Sequence, residues 1–252
     1  MAQEARTPGD PGERAAELAA NLARVEERLT RACAAAGRSR DEVTLIVVTK
    51  TYPASDVRLL AELGVRHVAE NRHQEAAPKA AACADLPLVW HFVGQLQTNK
   101  ARFVAEFCDY VHSVDRIRLV NALSAAAERQ GRELRCLLQV ALDKEESGEA
   151  DTGGRGGVAP ADVPELAEVV RSAPALSLAG VMTVAPLEGR YAGRPAEAFQ
   201  RLGEISSGLR RNDPAANMVS AGMSSDLEEA VAAGATHVRV GTAVLGVRPR
   251  LG

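Results

Sequence analysis

About eight times between residues 43 and 243, a short apolar run rich in β-branched residues gives way to a helical stretch. This alternation constrains the fold more than any single motif. The first run, Val43 to Lys50, is almost uninterrupted: Leu45, Ile46, Val47 and Val48 leave no polar alternation. Both faces of such a strand are buried, as in a parallel sheet. The later strands are read at Arg66–Arg72, Leu88–Gln95, Tyr110–Asp115, Arg135–Asp143, Leu178–Ala185, from Asn217, and Thr236–Ala243. Helices fill the intervals, the first from Ser55 as N-cap to Gly64 just past its end. No composition break divides the series, so the spacing predicts an α/β fold with a single (β/α)8 barrel of the TIM type. An open doubly wound sheet is the alternative, but it carries a glycine fingerprint after its first strand, and Lys50 to Ser55 contains no glycine.

Ahead of the barrel, Leu18, Leu22, Val25, Leu29 and Cys33 recur at helical spacing. They predict an extra N-terminal helix at about residues 13–37, preceded by a disordered tail over residues 1–12. Residues 13–252 then form one domain. With 46% hydrophobic and 25% charged residues, the 252-residue chain can bury a sizeable core. A formal net charge of -3 provides no footprint for nucleic acid or an anionic membrane. Cys33, Cys83, Cys108 and Cys136 form no framework, and no zinc-type spacing joins them to His67, His73, His91, His112 or His237. No apolar run approaches the ~20 residues of a membrane span. The expected location is the cytoplasm, as a monomer.

A barrel gathers the C-terminal ends of its strands at one mouth, where ligands bind. Lys50 closes the first strand there. An amine held against an apolar wall loses hydration and becomes a usable nucleophile toward an aldehyde. The plainer reading is a snorkelling cap with its head in water. After the seventh strand, Gly222, Ser224 and Ser225 precede a helix that Asp226 is expected to cap. After the eighth, Gly241 and Thr242 form another turn. These two loops of a barrel often cradle a phosphate. Arg239 alternates with Val238 and Val240, so it points either into the barrel or out toward helix carboxylates. An amine for an aldehyde, loops for a dianion and an arginine for a ring nitrogen together fit pyridoxal phosphate (PLP).

The segments TLIVVTKTYP, AENRHQE, WHFVGQLQTNK, GVMTVAP, SAGMSSD and VRVGTAVLG resemble the successive signatures of the pyridoxal-phosphate homeostasis protein family, from about Val43 to Gly246. The resemblance implies fold-type III PLP binding, with Lys50 holding the cofactor as a Schiff base. It places Asn71 near the ring, Arg239 at the pyridine nitrogen, and Ser224, Gly241 and Thr242 at the phosphate, while His91 and Met182 match pocket-lining positions. Three departures stand out. Ala69 replaces a glycine before the Glu–Asn pair, Ala221 follows Ser220, and Arg155 stands in a loop where the family often has a lysine.

The same barrel resembles the N-terminal domain of alanine racemases. Racemisation needs an acid/base group on each face of the substrate carbon. Lys50 is one candidate, but Tyr52, Tyr110 and Tyr191 supply no evident second. The resemblance therefore implies a carrier in vitamin B6 homeostasis, not an enzyme, with apo-PLP enzymes as possible recipients. A weakly active PLP-dependent amino-acid racemase is the alternative.

Overall fold

In the computed structural model the eight strands pair in sequence order and β8 closes on β1. The structure describes residues 11–144 and 156–246. Residues 1–10 of the expected tail lie outside these limits, as do Gly148, Gly153, Gly154 and Arg155 of the glycine-rich loop. The N-terminal helix α1 (Pro11–Ala35) begins inside the expected tail, since proline is tolerated in a first helical turn.

The barrel runs β1 (Thr44–Val48), α2 (Ala54–Glu62), β2 (His67–Glu70), α3 (His73–Ala82), β3 (Val89–Phe92), α4 (Ala101–Ala105), β4 (Tyr110–Val114) and α5 (Ile117–Gln130). It continues with β5 (Leu134–Gln139), α6 (Val163–Ser172), β6 (Leu176–Met182), α7 (Pro195–Asn212), β7 (Met218–Ser220), α8 (Leu227–Ala232), β8 (His237–Val240) and α9 (Thr242–Leu245). All strand pairs are parallel. Strand β1 is shorter than the run that predicts it. It ends at Val48, and Lys50 sits in the turn beyond it, followed by Thr51 at φ +69°. Ser55 does not cap α2. Pro53 holds the N-cap position in extended geometry, so the helix begins one residue before Ser55.

Alternation along the strands sorts the side chains into two layers. Val47, Val68, Val238 and Val240 point outward and pack with Leu18, Val25 and Leu29 of α1 and Leu60 of α2. The expected apolar face of α1 is thus the one buried, and α1 lies along the outside of the barrel. Inside, Leu137, Ala179, Met182 and Met218 form a small apolar cluster beside Tyr110. The register of β5 against β6 shifts between Cys136 and Leu137, facing Gly180. Gly180 has φ +150°, and a Cβ there would lie 1.9 Å from the Met218 carbonyl oxygen. Only glycine fits such a closely approached, positive-φ position.

Candidate functional site at the barrel mouth

Lys50 follows the C-terminal end of β1, and the turn around it is fixed from behind. Thr49 donates its hydroxyl to Glu70 Oε1 at 2.7 Å, and Lys79 Nζ donates to the Thr49 carbonyl at 2.8 Å and to the same Glu70 oxygen at 2.5 Å. The backbone N–H of Thr51 is held by Glu75 Oε2 at 3.1 Å. Glu70 and Lys79 are buried between β2 and α3. Burial pushes the Glu70 carboxyl above its usual range, against the opposing pull of Lys79 and Thr49. Lys50 itself is half-buried and makes no hydrogen bond or ion pair with any described residue.

Asn71 follows β2, the next strand round the barrel. Its Oδ1 is buried without a hydrogen-bond partner, which is costly unless a ligand or water supplies one. The backbone of Gly94 comes so close that a Cβ there would lie 2.1 Å from the Asn71 carbonyl. Ser224 lies in the loop after β7, with its carbonyl gripped by Arg28 of α1 at 2.6 Å. Asp226 occupies the N-cap position of α8, but its carboxylate accepts the Met223 N–H at 2.6 Å and no helix N–H. It therefore shapes the loop and does not cap the helix by a side-chain bond. The Arg239 N–H donates to the Gly222 carbonyl at 2.9 Å, which ties β8 to this loop. Gly241 and Thr242 follow, with Thr242 opening the four-residue helix α9.

Arg239 points inward. It is 4% exposed and donates Nη1 to Ser220 Oγ at 2.5 Å and Nη2 to the Thr183 carbonyl at 2.8 Å. Burial pushes its guanidinium down to about 10, slightly opposed by Asp226. His91 is fully buried inside the barrel, in register with Ala69 and thus one step below the mouth. Met182 lines a cavity of about 610 Å³ on the opposite side of the mouth, together with Gln95, Gln139, Asp143, Val184 and Glu188.

Three features escape sequence reasoning: the Glu70–Lys79 pair, the Thr183 carbonyl, and a string of imidazoles beneath Arg239. His67 Nδ1 lies 3.0 Å from His91 Nε2, His91 Nδ1 lies 2.8 Å from His112 Nε2, and His112 Nδ1 lies 3.0 Å from Ser220 Oγ. Their placement at alternate strand positions was the available signal, but it leaves the facing direction open. Among the described residues no histidine, cysteine or carboxylate cluster suits a metal ion.

An unpaired amine, an orphaned amide oxygen, a buried guanidinium with free N–H groups and two loops meeting at one rim fit a phosphorylated aromatic aldehyde. The family model described as alanine racemase, N-terminal domain, matches residues 20–249, so the chain has the barrel of that class. An alanine racemase from Streptomyces coelicolor shows the same fold, at 21% identity and a TM-score of 0.69 over 93% of this chain and 59% of its own. The pyridoxal phosphate homeostasis protein of Pseudomonas aeruginosa is 43% identical over 231 residues, covering 92% of this chain and 96% of its own. PipY of Synechococcus elongatus, solved with PLP bound, is 34% identical with a TM-score of 0.71, covering 91% of this chain and all of PipY (100%). The chain belongs to the pyridoxal phosphate homeostasis protein family.

Proposed function

We propose that the chain binds PLP reversibly at the barrel mouth and takes part in its homeostasis, with Lys50 as the covalent anchor. The observation that carries this reading is the unpaired Lys50 amine, held at the rim beyond β1 while a buried Arg239 stands on the neighbouring strand β8, in a relative of PLP-bound PipY. When bound, the cofactor supplies an aldehyde for an amine and a ring that withdraws electrons. Ser224, Gly241 and Thr242 would hold the phosphate, Arg239 would donate to the pyridine nitrogen, and Asn71 would stand near the ring. Met182 and, from below, His91 shape the pocket. An arginine donor keeps the ring nitrogen unprotonated and so weakens the ring as an electron sink. That favours racemase-type chemistry over strong carbanion stabilisation, and it is the lack of an evident second base that points to a carrier.

The racemase alternative needs a second acid/base group facing Lys50. Tyr52 donates its hydroxyl to the Gly246 carbonyl at 2.7 Å, while the Tyr110 hydroxyl accepts from Arg135 at 2.9 Å low in the barrel. Neither engagement supports such a role. The reading is tested by loading the protein with PLP, removing free cofactor, and adding an apo-PLP enzyme. Recovery of the recipient's activity, with no D/L exchange of alanine by the loaded protein alone, is expected. Measurable exchange would favour the racemase instead.

A further inference from the structure

A buried hydrogen-bonded string crosses the interior of the barrel. It starts at His67, the first residue of β2, and passes through His91 on β3 and His112 on β4. It then crosses the interior to Ser220 on β7 and ends on Arg239 of β8. Strands β4 and β7 are not neighbours, so the His112–Ser220 bond spans the lumen. His91, His112 and Ser220 are each 0% exposed.

The chemistry of the end group fixes the direction of the string. A guanidinium only donates, so Arg239 Nη1 takes a lone pair of Ser220 Oγ. The hydroxyl proton of Ser220 then has His112 Nδ1 as its acceptor. A His112 that accepts at Nδ1 carries its proton on Nε2 and gives it to His91 Nδ1. His91 in turn carries Nε2–H and gives it to His67 Nδ1. All three rings are therefore Nε2–H tautomers pointing away from the mouth. The opposite direction would leave the Ser220 hydroxyl proton without a partner in a fully buried position.

We propose that Ser220, His112, His91 and His67 form a positioning relay that sets Arg239 and reports to it the protonation state of His67. The consequence for the bound cofactor rests on the PLP reading above; the relay itself does not. His67 is the half-buried end. When it takes up one proton from water, both its nitrogens become donors. His91 and His112 must then turn to Nδ1–H, and His112 donates to Ser220 Oγ. Ser220 now accepts from both His112 and Arg239, and its own proton is released from His112 toward the floor of the site.

The other charges around the string are few. Asp109, before β4, favours a charged His67, while His237 on β8, whose ring lies 6.4 Å from that of His67, disfavours it. Tyr110 of β4 stacks on His91 at 4.7 Å and accepts from Arg135 of β5. Arg239 disfavours charge on His112, and Asp226 faces Arg239. Burial holds His67 below the ordinary imidazole range, so the reversal falls on the acid side of neutrality.

The test is 15N NMR of the full chain without cofactor, labelled at histidine and arginine. At pH 8, His67, His91 and His112 should all show the Nε2–H pattern. On acidification the Arg239 guanidinium resonances should shift in step with His67, and that step should vanish in His67→Gln while the spectrum at pH 8 is retained. An Nδ1–H tautomer at any of the three positions at pH 8, or a persistent Arg239 step in His67→Gln, overturns the relay. Adding PLP separates the two readings: absence of a visible band with the relay signals intact would count against cofactor binding alone.

Discussion

Acid should destabilise this protein well before its carboxylates begin to protonate, because its barrel is filled with neutral imidazoles. His91 and His112 are 0% exposed, and burial holds both well below the ordinary value of 6.5, with neighbouring positive groups adding to the effect. His237 is pushed down to about 4, mainly by burial. In each case the folded pKa lies below the unfolded one, so the unfolded chain binds the proton first. The stability is fully present above 6.5 and is lost as pH falls from there toward the folded values. For one group held neutral, lowering the pH from 7 to 5 removes about 2 kcal/mol, and for His91 and His112 together about 4 kcal/mol. Glu70 works in the opposite direction, since burial raises its folded pKa and its protonation favours the folded state as pH falls. Carboxylates lowered by ion pairing, such as Glu168 and Glu228, act only below their unfolded value of 4.5 and leave this window clear. The assay is urea unfolding at pH 7, 6 and 5, with constant m-values checked at each pH. A fall of several kcal/mol by pH 5 is expected. A flat profile over this range would refute the neutral, buried imidazole interior.

Three further outcomes follow from the same packing. Lys79→Met leaves Glu70 as a buried carboxylate without its partner and should cost about 3–5 kcal/mol in urea unfolding, much of it recovered in the double variant with Glu70→Gln. Gly180→Ala should destabilise by about 2–4 kcal/mol in the same assay, because a Cβ would meet the Met218 carbonyl at 1.9 Å from a positive φ. Lys50→Ala removes a half-buried side chain with no partner among the described residues and should change stability by no more than about 0.5 kcal/mol. A large loss there would mean that Lys50 has a structural role.

The barrel was legible because its signal is local. Val43 to Val48 has no polar face, and Gly64, Gly131 and Gly234 mark the ends of helices that lead into later strands. The boundaries near Lys50 were not, because the end of β1 is set from outside it. Thr49 is drawn to Glu70 and Lys79, and Thr51 turns to φ +69° under the hold of Glu75. The valines on either side of Arg239 left its direction open. Its inward orientation depends on Ser220 and the Thr183 carbonyl, 19 and 56 residues away in sequence. The imidazole string was hidden for the same reason, since the His112–Ser220 bond joins residues 108 apart across the lumen. Motifs pointed to residues at or near the ends of the strands. They carried no information about what lies beneath the rim.

Borohydride reduction followed by mass mapping asks whether Lys50 anchors PLP. The protein is mixed with PLP, its visible absorption band is recorded, and the sample is reduced and digested. A visible band that is bleached on reduction is expected, with a pyridoxyl adduct on the peptide carrying Lys50 that is absent in Lys50→Ala. No band, or an adduct found only on other lysines such as Lys79 or Lys100, would contradict it.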